Sequence, residues 1–508
     1  MRMLSHIKII TRQSLLARIQ GQSVGDEIKT LFPKTEISYH TSKSIGDINQ
    51  NLDLKSSESR GVFTSNISES IISRKYDIAV HSWKDYPIQG TQYSDIVGTL
   101  SRKDSRDILF VKKDSIKNDH KKNFSVLTSS PRRRYGLEKV LSQIVPFKYD
   151  NLIFRDLRGN IDSRLKKFLK SGEDAVVVAK AAIDRIMESK KVNSDIKDQI
   201  SYCMEDCKWI ILPLSIYPTA PGQGALGIEA RLDNTQVINI IKKISNNIDY
   251  KNVKKERAIL SKYGGGCSQK IGVSIWEKNG LTIQSLSGIT EEGEVINFYG
   301  TINRKILSDS TPVPAENVFP NSIKERSLYK RISFNQNKLI RNIENSIIYL
   351  SRKNVLNQKP TIKSSNILWS SGLTTWYNVV KNGYWVNGSS ESLGELEVNK
   401  IKAMLNNDYP LIKLTFSNKS DNSDNIVDTY RLEDLIFPND FQNRTHFFWT
   451  SPILFQLALK KYPEIIDRDH SCGMGNTYDR LAKILGNQVK CFLSYNEWFE
   501  TTTINNLK

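Results

Sequence analysis

Cysteine is scarce in this chain and unpatterned: Cys203, Cys207, Cys267, Cys472 and Cys491 make five in 508 residues. An odd, scattered set excludes a disulfide framework and points to a reducing compartment, the cytoplasm. Cys203 and Cys207 have three residues between them and no other Cys or His nearby, a poor set of ligands, so no metal is expected. Long apolar runs are missing too. No window approaches 18 uninterrupted apolar residues, and residues 1–14 carry no signal-type apolar core, which excludes a membrane span and export. Acidic residues are short, 54 against 73 Lys and Arg, for a formal charge of +19. The expected partner is therefore an anion: nucleic acid, acidic lipid or a small polyanion. Core-forming material is plentiful, however. With 39% hydrophobic and 9% aromatic residues the chain is no disordered basic tail, and its length predicts three or four domains.

The local grammar is α/β. Residues 6–11 alternate like a strand and run through Arg12-Gln-Ser14 into a helix containing Leu15, Leu16 and Ile19. Phe63, Ile67 and Ile71 share a helix face ahead of a buried-type strand at 77–82, and 174–179 is another such strand before a helix around Ile183 and Ile186. Functional groups should gather at the carboxyl ends of such strands. A helical pattern through Leu339, Ile343, Ile347 and Leu350 closes the first part, and a linker at 357–365 introduces a separate C-terminal segment.

Three stretches carry chemistry. Thr128-Ser-Ser-Pro-Arg-Arg-Arg134 sets hydroxyls before three guanidinium groups at a helix entry, and Arg158, Arg164 and Arg185 follow. Each run alone reads as a solvated face, but together at strand ends they read as a polyanion cradle. His81-Ser-Trp-Lys-Asp85 leaves an apolar strand, so Ser82, Lys84 and Asp85 should emerge at its end. Asp85 is either a surface ion-pair partner of Lys84 or, inside a cationic cleft, a group that stabilises a cation or moves a proton. Tyr263-Gly-Gly-Gly-Cys267 puts a thiol on a three-glycine loop; it is either a structural thiol or an accessible attachment point.

Thr11-Arg-Gln-Ser14, residues 77–85, Thr128-Ser-Ser-Pro-Arg-Arg133, Leu157-Arg-Gly-Asn160 with Arg164, residues 221–231 and Gly265-Gly-Cys267 stand in an order and spacing that closely resemble the porphobilinogen deaminase (hydroxymethylbilane synthase) family, over residues 4–356. The resemblance implies two α/β domains like periplasmic binding proteins, 1–104 with 208–243 and 105–207, and a small α+β third domain at 244–356. It implies a dipyrromethane cofactor on Cys267, joined by a thioether, and stepwise condensation of four porphobilinogens with loss of ammonia. Asp85 matches the catalytic aspartate. Ser82, Lys84, Thr128, Ser130, Arg132, Arg133 and Arg158 would hold the cofactor's carboxylates, and Arg12, Ser14, Gln20, Arg164 and Arg185 would line the substrate site. Two carboxylates on every pyrrole ring explain the cradle better than nucleic acid does. The expected state is a monomer without nucleic-acid or membrane partners. Ser56-Ser-Glu-Ser-Arg60-Gly61 departs from the family's glycine-rich loop, with Arg60 in place of a second lysine after Lys55; Trp83 stands for a common Met and Leu15 for a proline.

Within the C-terminal α/β segment at 366–508, a strand into Thr450-Ser451, a helix, and Gly473-Met-Gly-Asn-Thr477 before a second helix resemble the latter half of uroporphyrinogen-III synthase. Thr450, Ser451 and Thr477 are then candidate contacts to substrate carboxylates, through hydroxyls and helix N-termini. Fusing the two activities would shorten the free life of a linear tetrapyrrole that otherwise closes to the wrong isomer. The competing readings are a deaminase with a degenerate structural appendage, and a two-lobed protein that clamps an anion without chemistry.

Overall fold

The computed structural model describes residues 4–42, 65–88, 90–192, 194–264, 269–302, 312–405, 408–416, 425–433 and 435–504. Its first sheet has five strands in the order Glu36–Ser42, His6–Arg12, Ile78–Ser82, Leu226–Arg231 and Ser94–Gly98. The first three are parallel, and Leu226–Arg231 runs against both of its neighbours. Ser14 starts the helix Leu15–Leu31 by accepting from the Ala17 amide at 3.4 Å. That helix buries Ile19, Val24 and Ile28.

The second sheet reads Lys148–Arg155, His120–Leu127, Ala175–Ala179, Asp107–Lys112 and Cys207–Ile211. The expected boundary between 207 and 208 therefore needs correction. Cys207–Ile211 pairs with Asp107–Lys112 along its whole length, and Ile210 and Ile211 are fully buried. The chain regains the first sheet only at Leu226–Arg231. Next come the helix Asn247–Ser261 and an antiparallel three-stranded meander, Gly272–Lys278, Leu281–Ile289 and Val295–Ile302.

Residues 312–504 build two further sheets. Six strands lie in the order Lys330–Ser333, Ile426–Glu433, Leu411–Phe416, Ile347–Leu350, Ile367–Ser370 and Gly388–Ser389; four lie in the order Val318–Phe319, His446–Trp449, Asp469–Gly473 and Val489–Phe492. Two expectations change here. The helical pattern over 339–350 splits into a short helix, Asn337–Asn342, and a central strand, Ile347–Leu350, whose four residues are all buried. A short run of Ile, Tyr and Leu buried on both sides fits either period, and sheet pairing decides it. The boundary expected between 356 and 366 falls inside one sheet, because Ile347–Leu350 pairs in parallel with Ile367–Ser370. The polar 357–365 stretch is a connection between neighbouring strands.

This C-terminal unit packs on the second sheet's domain. Trp376 Nε1 donates to the Ile144 carbonyl at 3.1 Å, Trp385 Nε1 donates to the Trp209 carbonyl at 3.0 Å, and the Ile211 amide donates to the Asn387 carbonyl at 2.8 Å. One apolar cluster accordingly runs from Leu109 and Leu141 to Trp376 and Leu414. Among the described residues no helix is long and apolar enough to cross a membrane, and no group of His, Cys, Asp or Glu is arranged to hold a metal.

Candidate functional site: a cationic cleft around Asp85

Parallel pairing sets Arg12 and Ser82 at the same edge of the first sheet, since Ile9 and Ile10 register with Ile78 and Ala79. Ser82 then leads into a single turn, Trp83–Asp85, in which Trp83 is buried and Asp85 exposed. The buried Trp83 ring fixes the turn, and the carboxylate is held out beyond it. Behind the turn, Gln20 and Ser82 exchange hydrogen bonds at 2.9 and 3.2 Å.

In the second sheet the helix Pro131–Ile144 begins at Ser130, whose hydroxyl accepts from the Arg133 amide at 3.4 Å, and Thr128 Oγ1 accepts from the Ser130 amide at 3.2 Å. These hydroxyls shape the helix entry that carries the arginines. Arg132 and Arg133 are both buried on the fully buried Asp107: Arg132 Nη2 reaches Oδ2 at 2.6 Å and Arg133 Nη2 reaches Oδ1 at 2.7 Å. Burial would push the Asp107 carboxyl up, yet Arg133 and then Arg132 hold it well below the usual carboxylate range. Gln223 completes the joint, donating to Asp107 Oδ1 at 2.9 Å while its Oε1 accepts from Lys84 Nζ at 3.1 Å.

The Lys84–Gln223–Asp107 link joins both edges in one cleft. Lys84 is lowered to about 8, first by burial; Asp85 and Asp107 act to raise it, Arg133 and Arg132 to lower it. Arg164 is lowered to about 10 by burial and by Arg133, with Asp85 opposing. Its Nε donates to the Gly159 carbonyl at 2.7 Å. Arg185 belongs elsewhere. It is lowered to about 10 by burial, Asp184 and Glu188 act to raise it, and its Nη2 donates to the Gly224 carbonyl at 2.7 Å. Gly224, at a φ of +85°, also accepts from the Lys103 amide, so Arg185 braces the crossing between the two sheets. Arg158 is exposed on the loop after Lys148–Arg155. Cys267, Lys55 and Arg60 lie outside the described residues.

Four cations, Lys84, Arg132, Arg133 and Arg164, thus share the cleft with two carboxylates, Asp85 and Asp107. At Lys84 the lowering comes from burial, with Asp85 the largest opposing charge, whereas at Arg164 Arg133 outweighs Asp85 and adds to burial; a ligand bearing carboxylates would favour the charged form of both. Asp107 and Gln223 escaped the sequence reading. Gln223 sits in the 221–231 motif, but only the fold shows that it joins Lys84 to Asp107.

In the C-terminal unit, Thr450, Ser451 and Thr477 come to adjacent strand ends. His446–Trp449 pairs in parallel with Asp469–Gly473; Ser451 caps the helix Pro452–Lys461 by accepting from the Leu454 amide at 3.2 Å, and Thr477 lies in the first turn of Asn476–Leu485. Gly475 precedes that turn at a φ of +85°, and a Cβ there would meet Gly394 Cα at 2.7 Å, so the backbones of the two lobes touch.

Fold and site define an α/β protein in which two five-stranded sheets meet at a cationic cleft with one exposed carboxylate. Residues 7–239 match the family model described as porphobilinogen deaminase, dipyromethane cofactor binding domain. A probable porphobilinogen deaminase of Picrophilus torridus is 35% identical over 53% of this chain and 84% of its own length, and the porphobilinogen deaminase of Chlorobium luteolum is 34% identical over 55% and 82%. The chain belongs to the porphobilinogen deaminase family, transferases also called hydroxymethylbilane synthases, and its cofactor is dipyrromethane. YhfZ of Shigella flexneri, a solved structure, is 12% identical, covers 51% of this chain and 92% of its own, and has a TM-score of 0.26. At that score the likeness adds nothing to the assignment.

Proposed function

We propose that this chain condenses four porphobilinogens head to tail into hydroxymethylbilane, and that its C-terminal unit then closes that product into uroporphyrinogen III. The observation carrying the first half is the exposed Asp85 at the mouth of a cleft walled by Lys84, Arg133 and Arg164. Cys267 holds the dipyrromethane by a thioether, and Lys84, Arg132, Arg133 and Arg158 face its acetates and propionates with the hydroxyls of Ser82, Thr128 and Ser130. When bound, it supplies the free pyrrole carbon at which the chain grows. Arg12, Ser14, Gln20 and Arg164 orient the incoming porphobilinogen, and Arg185 supports that surface from the crossing behind it.

In each condensation the substrate's aminomethyl C–N bond breaks, ammonia leaves, a C–C bond forms, and a pyrrole carbon loses its proton. Asp85 stabilises the positive charge left on the substrate's ring nitrogen and moves that proton. The chain acts as a monomer; its compartment is a reducing one, in keeping with the buried cysteines Cys203, Cys207, Cys472 and Cys491, which form no disulfide. Intact-mass spectrometry tests the attachment: an adduct of two pyrrole units is expected, and it should vanish in Cys267→Ala. Active protein of unmodified mass would overturn it.

Support for the second half comes from Thr450, Ser451 and Thr477 at neighbouring carboxyl ends of parallel strands, where α/β sheets take their ligands. The close packing of Trp376 and Trp385 on the deaminase domain favours a second reading, a purely structural appendage. The isomer composition of the uroporphyrinogen formed decides between them, and a product of type I alone removes the synthase.

A further inference from the structure

The chain crosses twice between the two lobes of the C-terminal unit, from Val318–Phe319 to Lys330–Ser333 and from Ile426–Glu433 to His446–Trp449. Polar side chains collect beside these crossings. Lys330–Ser333 pairs antiparallel with Ile426–Glu433, Ser333 opposite Tyr430 and Arg331 opposite Leu432, so Arg331 and Tyr430 share one face of the sheet. Arg352 follows the carboxyl end of Ile347–Leu350 and reaches the other lobe, its Nη2 lying 3.5 Å from the Thr450 carbonyl.

Two buried atoms there close no hydrogen bond, Tyr329 Oη and Arg331 Nε, while the Ser351 side chain meets the Tyr430 hydroxyl. A native structure seldom leaves such atoms unmatched unless something absent completes them. Burial lowers Arg331, Arg352 lowers it further, and only the tyrosine hydroxyls Tyr430 and Tyr329 oppose. Among the described residues no carboxylate pairs with either guanidinium. Two half-buried cations side by side are costly unless an anion lies between them. Arg132 and Arg133 have theirs in Asp107, whereas here the anion is not in the described chain.

We propose that Arg331 and Arg352, with the hydroxyls of Tyr329 and Tyr430, form a carboxylate-binding site between the lobes of the C-terminal unit, for an acetate or propionate of the tetrapyrrole made by the other half. The guanidinium forks match a carboxylate in two-point contact, and crevices between lobes at carboxyl strand ends are where ligands dock. The identity of the ligand rests on the synthase reading; the anion site rests on the arginines alone.

Uroporphyrin III, a stable octacarboxylate, serves as the probe, titrated by fluorescence into the full chain. The wild type should bind one equivalent more than Arg331→Met/Arg352→Met, and each single variant should weaken that equivalent about tenfold or more. Ammonia release should stay at the wild-type rate, which shows the variants folded. Arg352→Lys keeps charge and bulk but loses the fork, and should still weaken binding severalfold. Unchanged stoichiometry and affinity in the double variant, or full affinity in Arg352→Lys, overturns the site. If the equivalent is lost in the double variant but the wild type itself forms type I product alone, the anion site stands and the synthase reading falls.

Discussion

Two pairs of arginines live under opposite conditions in this molecule. Arg132 and Arg133 are neighbours on one helix, and both close on the buried carboxylate of Asp107. Arg331 lies on the strand Lys330–Ser333 and Arg352 just beyond Ile347–Leu350, and no described carboxylate answers them. The first pair is a wall whose charge is half neutralised and whose geometry is fixed before any ligand arrives. The second keeps its full charge for something that comes from outside. An arginine count does not distinguish these roles; the partner of each guanidinium does.

The comparison can be broken by removing what makes the first cleft chemical. Asp85→Ala should lower ammonia release by about 10²–10⁴-fold with the melting temperature unchanged, because the side chain is exposed. A loss below tenfold would show that the Asp85 carboxylate does no chemistry in the deaminase cleft. Asp107→Ala would turn the first pair into the likeness of the second. It leaves two buried guanidinium groups unanswered, and should cost about 3–5 kcal/mol in urea unfolding and abolish the pyrrole adduct seen by mass. Gln223→Leu removes the link from Asp107 to Lys84 together with the bond to the Ser105 carbonyl, for about 1–3 kcal/mol by the same unfolding measurement.

The smallest effect is one of pH. Lys84 titrates at about 8 in the fold against an ordinary 10.5, so the fold favours its neutral form. That group therefore costs stability below pH 8, and the cost fades as pH rises from 8 towards 10.5. Its attraction for anions fades over the same rise. In Cys267→Ala protein, binding of a polycarboxylate should weaken as pH passes 8, and Lys84→Met should flatten that step.

Much of the first half was legible in the residues. Strands at 6–11 and 77–82, the helix entry at Ser130 and the turn that carries Asp85 follow from alternation, caps and an apolar run ending in polar residues. Legibility failed where neighbours far along the chain decide the outcome. Ile347–Leu350 reads as helix by period and is a strand because Ile367–Ser370 and Leu411–Phe416 flank it. Cys207–Ile211 looked like the start of a return to the first domain and instead closes the edge of the second sheet.

The sequence by itself determined the repertoire: a carboxylate after a buried strand, arginines at a helix entry, a thiol on a glycine loop, and the motif order that marks the family. Those features are local, and a few consecutive residues specify them. Tertiary structure alone decided which charges meet. Asp107 neutralises Arg132 and Arg133, Gln223 ties Lys84 to them, and Arg331 feels the charge of Arg352 with no acid paired to either among the described residues. Coulomb energy and burial depend on distance in space, and residues as far apart in the chain as Lys84 and Gln223 are brought within 3.1 Å only by the packing of sheets.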